Sequence, residues 1–211
     1  MLWYTMTQAE KPRLLLGYAI SGKSLFVSIL GIFTAMTTIC TIVLRIPINP
    51  ATGQYFNFGD TAVMIVGLIF GPWAGLFAGG FGSMFGDVIA EFTGSPGAIV
   101  FAPFTFIAKG LEGFIVGLLA NPRKREMKPR KSDLIGALCG GIPVIIVYFV
   151  VEIYLISFEW ALIEMPWNFV QIISALIISN VVLKSIWPQL SKNYPQIRRT
   201  FYPQPSSPIP N

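Results

Sequence analysis

Long apolar runs constrain this chain more than any other feature of its sequence. Three of them follow one another between Asn57 and Ala120, separated only by a tight turn at residues 70–73 and a short loop around Pro96. A membrane-spanning helix needs about 20 predominantly apolar residues. The runs are continuous rather than alternating, which favours helices over the strands of a membrane barrel. The sequence therefore predicts helices that cross a lipid bilayer.

The composition agrees with this interpretation. Only 12% of the residues are charged, whereas a soluble domain usually has about 25%. We predict an all-α, polytopic membrane protein with a lead at residues 1–23, a membrane domain at 24–187 and a partly disordered tail at 188–211. The membrane domain is predicted to contain six transmembrane helices, at residues 24–44, 59–70, 72–92, 98–120, 134–156 and 167–186.

Lysine and arginine are distributed unevenly between the two ends of these helices. With six helices both termini lie on one side, and that side receives nearly all the basic residues, including six between Arg123 and Lys131. Because positive residues accumulate in cytoplasmic segments, both termini are predicted to be cytoplasmic in a multi-pass protein of the plasma membrane. The basic segments are expected to contact the lipid bilayer, and no nucleic-acid partner is expected.

Catalytic and metal chemistry find little support in the sequence. The chain has no histidine, and its two cysteines, Cys40 and Cys139, lie inside apolar runs as small core residues would. We therefore predict no metal site and no cofactor. Residues 17–24, GYAISGKS, match the spelling of the phosphate-binding pattern GxxxxGK[ST], but they lead directly into the first apolar run. We expect nucleotide hydrolysis to come from a partner. The chain is not expected to be an enzyme.

Polar and ionisable residues are placed in or beside the predicted helices. Such groups are rare in hydrocarbon and by default mark a functional site. In the predicted orientation they converge in the outer half of the membrane, with Lys109 reaching outward from mid-membrane. The candidate ligand-binding residues are Tyr55, Asn57, Asp60, Asp87, Lys109, Tyr148, Glu152, Asn168 and Gln171.

Several of these residues also have a structural interpretation. Asp60 can simply cap the second helix. Lys109 and Glu112 are three residues apart and can pair along one helix face, with Glu112 as the structural member. Glu164 lies in the predicted loop at 157–166 and is expected to be solvated. The sequence leaves open whether Lys109 binds a ligand or only pairs with Glu112.

Prolines and small residues predict two further features. The loop at 45–57 contains Pro47 and Pro50, which prevent helix and favour an extended, lid-like segment. Gly31 and Ala35 stand four apart on the first helix, a spacing that lets another helix approach closely. Glycines every four residues from 67 to 79 are expected to serve close packing in the same way.

Three segments together resemble a known family. RIPINPATGQYFNFGD, FGPWAGLFAGGFGSMFGD and FAPFTFIAKGLEGFIVGLL are similar to the S components of energy-coupling-factor (ECF) transporters, small six-helix proteins that capture a vitamin from outside. The resemblance implies an outer pocket closed by the loop after the first helix. It also implies docking, through Gly31 and Ala35, onto a transmembrane T subunit driven by two ABC-type ATPases. Glycine at position 31 departs from the family's more usual alanine.

The resemblance does not decide the ligand. Riboflavin is preferred because this group of S components is often associated with it, and a hydroxymethylpyrimidine-type thiamine precursor and pyridoxine are alternatives. Two other functions compete: a self-sufficient carrier or channel, and an intramembrane aspartyl-type enzyme built on Asp60 and Asp87. The nearly uncharged inner halves of the helices argue against a channel. The position of both aspartates at helix ends argues against the enzyme.

Overall fold

The structure is a computed structural model that describes residues 13–15, 18–20, 22–43, 45–49, 54–120 and 130–201. Side chains are described over the same residues except 13–25, 47–49, 54–55, 187 and 189–201. Within the described residues the chain forms ten elements. These are β1 (Arg13–Leu15), β2 (Tyr18–Ile20), α1 (Gly22–Val43), β3 (Arg45–Asn49), β4 (Gln54–Asn57), α2 (Gly59–Phe70), α3 (Pro72–Phe92), α4 (Ala98–Ala120), α5 (Lys131–Leu155) and α6 (Phe158–Phe201).

The helices mostly follow the sequence pattern. α2, α3 and α4 have the predicted bounds, and α1 and α5 differ from theirs by one to three residues. The prediction for the last helix was wrong: α6 begins at Phe158 instead of Trp167 and continues to Phe201. Charged residues and Pro166 suggested a loop, but proline is tolerated in membrane helices. The division into lead, membrane domain and tail stays a prediction.

Among the residues that the structure describes, four helices are long and apolar enough to cross a membrane: α1, α4, α5 and the first 29 residues of α6. α2 has 12 residues and therefore reaches only about 18 Å, short of the roughly 30 Å hydrocarbon core. The glycine-rich α3 is not among the four. The structure is thus that of an all-α membrane protein with two small β-hairpins, and six crossings and cytoplasmic termini remain predictions.

The short helix α2 lies at the centre of the fold. All of its residues are buried, because α1, α3, α4 and α6 pack around it. A helix that is apolar all round is stable only when it is enclosed in this way. Gly71 alone connects α2 to α3. Its φ is 91°, a backbone conformation that residues other than glycine rarely adopt.

Glycines on one face of α3 set its distance from α4. A Cβ atom added at Gly79 would lie 2.8 Å from the carbonyl oxygen of Lys109, and one added at Gly75 would collide with the backbone of Gly113. The two helices therefore touch backbone to backbone, as the four-residue spacing predicted. The consequence for the site is that Lys109 is held on a segment of α4 that has almost no freedom to move toward or away from α3.

Two further glycines of α3 face α1. A Cβ atom at Gly82 would lie 2.6 Å from Thr37, and one at Gly86 would lie 2.6 Å from Thr41. The Thr38 hydroxyl also donates a hydrogen bond of 2.9 Å to the Gly82 carbonyl. Small and hydroxyl residues are typical of such close helix pairs in membranes. α3 is thus clamped between α1 and α4.

A prediction about stability follows from these contacts. Gly75→Ala should lower the melting temperature of the protein in detergent, because overpacking costs about 1–3 kcal/mol. Gly31→Ala is the matched control, since a Cβ atom there meets nothing within 4 Å. That change should keep or raise stability, as alanine is the better helix former. Equal melting temperatures for the two variants would contradict the tight α3–α4 contact.

The segment after α1 is a β-hairpin. It was predicted as extended, but its strand pairing was not predicted. β3 and β4 pair antiparallel, and the ladder shifts register between Pro47 and Asn49, where proline lacks a donor. The guanidinium of Arg45 donates to the Ser95 hydroxyl at 3.0 Å and to the Thr93 carbonyl at 2.7 Å. The hairpin is therefore attached to the turn between α3 and α4.

Candidate ligand-binding site

Lys109 of α4 forms a buried ion pair with Asp60 of α2. Only 3% of the lysine side chain and none of the aspartate is exposed. Of the two roles left open for Lys109, direct pairing with Glu112 is not what the structure shows: the ammonium bonds Asp60 instead. Asp60 bonds Lys109 and Gln171 and not the backbone of its own helix. The physical reason is the close packing of the helices, which brings a carboxylate from another helix within reach of the ammonium.

Gln171 of α6 connects this pair to the hairpin. Its Nε2 donates a hydrogen bond of 2.9 Å to Asp60 Oδ2, and its Oε1 accepts one of 3.2 Å from the backbone N–H of Asn57. The Asn57 side chain in turn accepts a hydrogen bond of 2.8 Å from the Gly59 N–H at the start of α2. Three predicted site residues, Asn57, Asp60 and Gln171, are thus joined directly.

Tyr148 of α5 borders the same group. Its ring centroid lies 5.5 Å from Lys109 Nζ, which is within the range of a cation–π contact. Its hydroxyl is 2.9 Å from the hydroxyl of Thr105 on α4. Thr105 was not predicted. Its position four residues before Lys109, on the same helix face, was the available signal.

Glu112 is the most unusual group in the site. It is fully buried, and neither carboxyl oxygen has a hydrogen-bond partner among the described residues. Asp60 and Lys109 are close enough to interact with it electrostatically. The hydroxyl groups of Thr61 and Ser83 are also buried, and neither has a hydrogen-bond partner among the described residues. Buried polar groups are normally satisfied, so such atoms indicate positions for water or a ligand.

A second polar layer lies one turn nearer the connection between α5 and α6. Glu152 follows Tyr148 by four residues, and Asn168 precedes Gln171 by three, so both share faces with the first layer. Asn168 is close enough to Glu152 for its side chain to interact with the carboxyl group. Glu164 belongs here as well: it is only 5% exposed, so its predicted solvation was wrong.

The two remaining candidate residues lie on α3 and β4. Asp87 is buried on α3. Tyr55 lies in β4, and its side chain is outside the described residues. No group of three or more potential metal ligands occurs within the described ranges.

Comparison with known proteins gives the family. A family model described as "ECF-type riboflavin transporter, S component" matches residues 23–187. The chain belongs to this family. A Pyrococcus woesei protein, described as "Uncharacterized protein in gap 3'region", is 38% identical over 157 residues, which is 72% of this chain and 98% of that protein.

Membership in this ECF family confirms the resemblance and extends it beyond the three segments that suggested it. ECF S components bind a vitamin and work with a T subunit and an ATPase module. The family is a transporter component and not an enzyme family, which argues against the intramembrane aspartyl enzyme. The ECF protein is accordingly a membrane subunit of a transporter.

The buried pair generates a test of the site's electrostatics. Lys109→Met should lower the free energy of unfolding by about 3–5 kcal/mol, because it leaves the Asp60 carboxylate buried without a counter-charge. Asp60→Asn combined with Lys109→Met should recover much of that loss, since both charges are then removed. Thermal denaturation in detergent would measure both effects.

The matched control for this test is Lys131→Met, which removes an exposed lysine at the start of α5. It should change the melting temperature little, because exposed charges contribute little to stability. A double variant less stable than Lys109→Met alone would contradict the direct pairing of Asp60 with Lys109.

Proposed function

We propose that this ECF S component captures riboflavin at the outer face of the plasma membrane and delivers it through an ATP-driven partner module. The observation that supports riboflavin is the order of groups around Asp60. Its carboxylate stands between two donors, the Lys109 ammonium and the Gln171 amide. The site thus offers the sequence donor, acceptor, donor.

The ring system of riboflavin is complementary to this order. Its imide edge presents a carbonyl, an N–H and a second carbonyl, which is the sequence acceptor, donor, acceptor. The site groups retain capacity for these bonds, because an ammonium has three donors, an amide nitrogen two, and a carboxylate about four acceptor positions. Tyr148 supplies an aromatic ring beside the same groups. The flavin ring would add bonds without breaking the internal ones.

The alternative vitamins fit this order less well. A hydroxymethylpyrimidine presents an amino group beside ring nitrogens, and pyridoxine presents hydroxyl groups around a pyridine ring. Neither molecule has an N–H group with a carbonyl on each side. The family description also favours riboflavin over them. A self-sufficient carrier or channel is less well supported, since S components of this kind work with a T subunit and ATPases.

The proposed hydrogen bond from the imide N–H to Asp60 can be tested by changing the ligand and leaving the protein unchanged. N3-methylriboflavin replaces the N–H donor with a methyl group, so its binding should be weaker by at least about 1.5–3 kcal/mol, the value of a hydrogen bond to a charged group. That corresponds to roughly 10- to 100-fold in Kd. Quenching of flavin fluorescence by the purified ECF protein in detergent would measure both ligands.

Pyridoxine and hydroxymethylpyrimidine serve as competitors in the same assay. Neither should displace riboflavin at concentrations near the riboflavin Kd. Equal affinity for riboflavin and its N3-methyl derivative would contradict the role of Asp60 as imide acceptor. Displacement by either competitor at low concentration would redirect the assignment to that vitamin.

The exposure of small residues on α1 supports a docking surface for the T subunit on this helix. Gly31 and Ala35 are exposed, and nothing lies within 4 Å of a Cβ atom added at Gly31. The buried Thr37 and Thr41 mark the opposite face, which contacts α3. A smooth strip of this kind lets a helix of a T subunit approach closely. With both termini cytoplasmic, the site opens outward and delivery proceeds inward.

Bulky residues on this strip should separate capture from transport. Gly31→Trp combined with Ala35→Trp should keep riboflavin affinity within about twofold and abolish uptake in cells that contain the partner module, because the partner helix is held away. Ile146→Trp on α5, where the native side chain is 56% exposed, is the control and should transport normally. Uptake that survives the double tryptophan variant would place docking elsewhere.

A further inference from the structure

Glu112 of α4 is fully buried, and the proposed function gives it no role. Both of its carboxyl oxygens lack a hydrogen-bond partner among the described residues. Such atoms mark a position for water or a ligand, because buried polar groups are normally satisfied. A group that bonds this carboxyl would remove an unfavourable term from the free energy of the protein.

The contact between α4 and α5 places this carboxyl group at the candidate site. At one end of the contact, a Cβ atom added at Gly140 of α5 would lie 3.0 Å from the Glu112 carbonyl oxygen. At the other end, the hydroxyl groups of Thr105 and Tyr148 are 2.9 Å apart. A helical side chain leans toward the N-terminus of its helix, so the Glu112 carboxyl reaches from the first end toward the second. It therefore lies on the side where the Lys109 ammonium contacts the Tyr148 ring.

Beyond Glu112 the helices close without room for a ligand. A Cβ atom added at Gly113 would collide with the backbone of Gly75 on α3, and one added at Gly67 of α2 would lie 2.7 Å from the Gly113 carbonyl oxygen. The rest of α4, residues 113–120, contains only glycine and apolar residues. Glu112 thus lies at the closed end of the candidate site.

The balance of charges indicates that this carboxyl group is neutral. The Lys109 ammonium already bonds Asp60, and Glu112 forms no ion pair within the described ranges. An unpaired carboxylate in an apolar interior is far less favourable than the neutral acid, so the group holds a proton. A protonated carboxyl group has one O–H donor in addition to its acceptor capacity.

The flavin ring offers acceptors for this donor. In the oxidised ring, each imide carbonyl has a ring nitrogen beside it, N1 next to the C2 carbonyl and N5 next to the C4 carbonyl. Both nitrogens have a lone pair and no hydrogen. Lys109, three residues before Glu112 on the same side of α4, is the donor proposed for one imide carbonyl. Glu112 can then donate to the nitrogen beside that carbonyl.

We propose that Glu112 is a neutral carboxylic acid at the closed end of the site and donates a hydrogen bond to a ring nitrogen of the flavin. This inference rests on the proposed riboflavin function and adds a residue that positions the ring. The acid and the Lys109 ammonium then act as neighbouring donors. Uracil has the same imide edge but carries a hydrogen on the nitrogen beside it, so this donor also distinguishes a flavin from a simple pyrimidine.

The protonation state can be measured without a ligand. The infrared carbonyl stretch of a protonated carboxyl group is separate from the amide and carboxylate bands. The difference spectrum between the wild-type protein and Glu112→Gln at neutral pH should contain this band. Glu159→Gln, which changes an exposed carboxylate on α6, is the control and should not remove it. A difference spectrum that shows a carboxylate band instead would overturn the inference.

The hydrogen bond is tested with 1-deazariboflavin and 5-deazariboflavin, in which a C–H group replaces N1 or N5. Their Kd values are measured by competition with riboflavin in the fluorescence assay, on purified protein in detergent. The analogue that lacks the contacted nitrogen should bind the wild-type protein at least about threefold more weakly than the other. Glu112→Met, which has no donor, should bind both analogues equally. Glu112→Gln, whose amide keeps a donor, and the control Glu159→Met should retain the wild-type ratio.

Equal binding of the two analogues by the wild-type protein would overturn the contact, as would a wild-type ratio that survives in Glu112→Met. If Glu112→Met does not fold, Glu112→Gln still decides, because a loss of riboflavin affinity of about tenfold or more would show that the side chain acts as an ionised acceptor. Failure of the wild-type protein to bind riboflavin would overturn the proposed function, whereas the infrared result would still decide the protonation of Glu112.

Discussion

The ion pair between Lys109 and Asp60 is the interaction on which the rest of the site depends. Two opposite charges in a membrane interior persist only if they stay together, because removal of either leaves an uncompensated buried charge. The pair therefore ties α4 to α2, and Gln171 ties α6 to both. The glycines of α3 complete this constraint, since contact at Gly79 fixes the height and distance of the Lys109 backbone. Packing thus determines electrostatics here.

The hairpin after α1 is part of the same system. One base of the hairpin is held by Arg45 on the α3–α4 turn, and the other by the bond from Asn57 to Gln171. Because Gln171 also donates to Asp60, one amide side chain serves both the ion pair and the hairpin. A ligand that draws a hydrogen bond from Gln171 would act on the anchor of the hairpin. The family resemblance implied that this loop closes the pocket. The amide of Gln171 connects the loop physically to the site.

The sequence predicted the bounds of the helices better than it predicted which side chains bond to each other. Helix bounds for α2, α3 and α4 followed from apolar length and from glycine and proline at the turns, which are local signals. The choice of Asp60 over Glu112 as partner of Lys109 depends on interhelical distances that no local pattern encodes. Glu164 was assigned to a loop because a charge and a proline outweighed the helical spacing with Asn168. The residues that converge were mostly found, whereas the bonds between them required the packed structure.

The arrangement also relates the exposed strip of α1 to the binding site. The strip with Gly31 and Ala35 and the threonines that contact α3 lie on different faces of one rigid helix. Thr41 lies directly against Gly59, where an added Cβ atom would collide with its hydroxyl, and Gly59 immediately precedes Asp60. A helix moves as a unit over such short distances, so a partner that displaced α1 would press on the residue beside Asp60. If Asp60 binds the ligand as proposed, contact of a partner with α1 and binding at Asp60 are mechanically connected through Thr41 and Gly59.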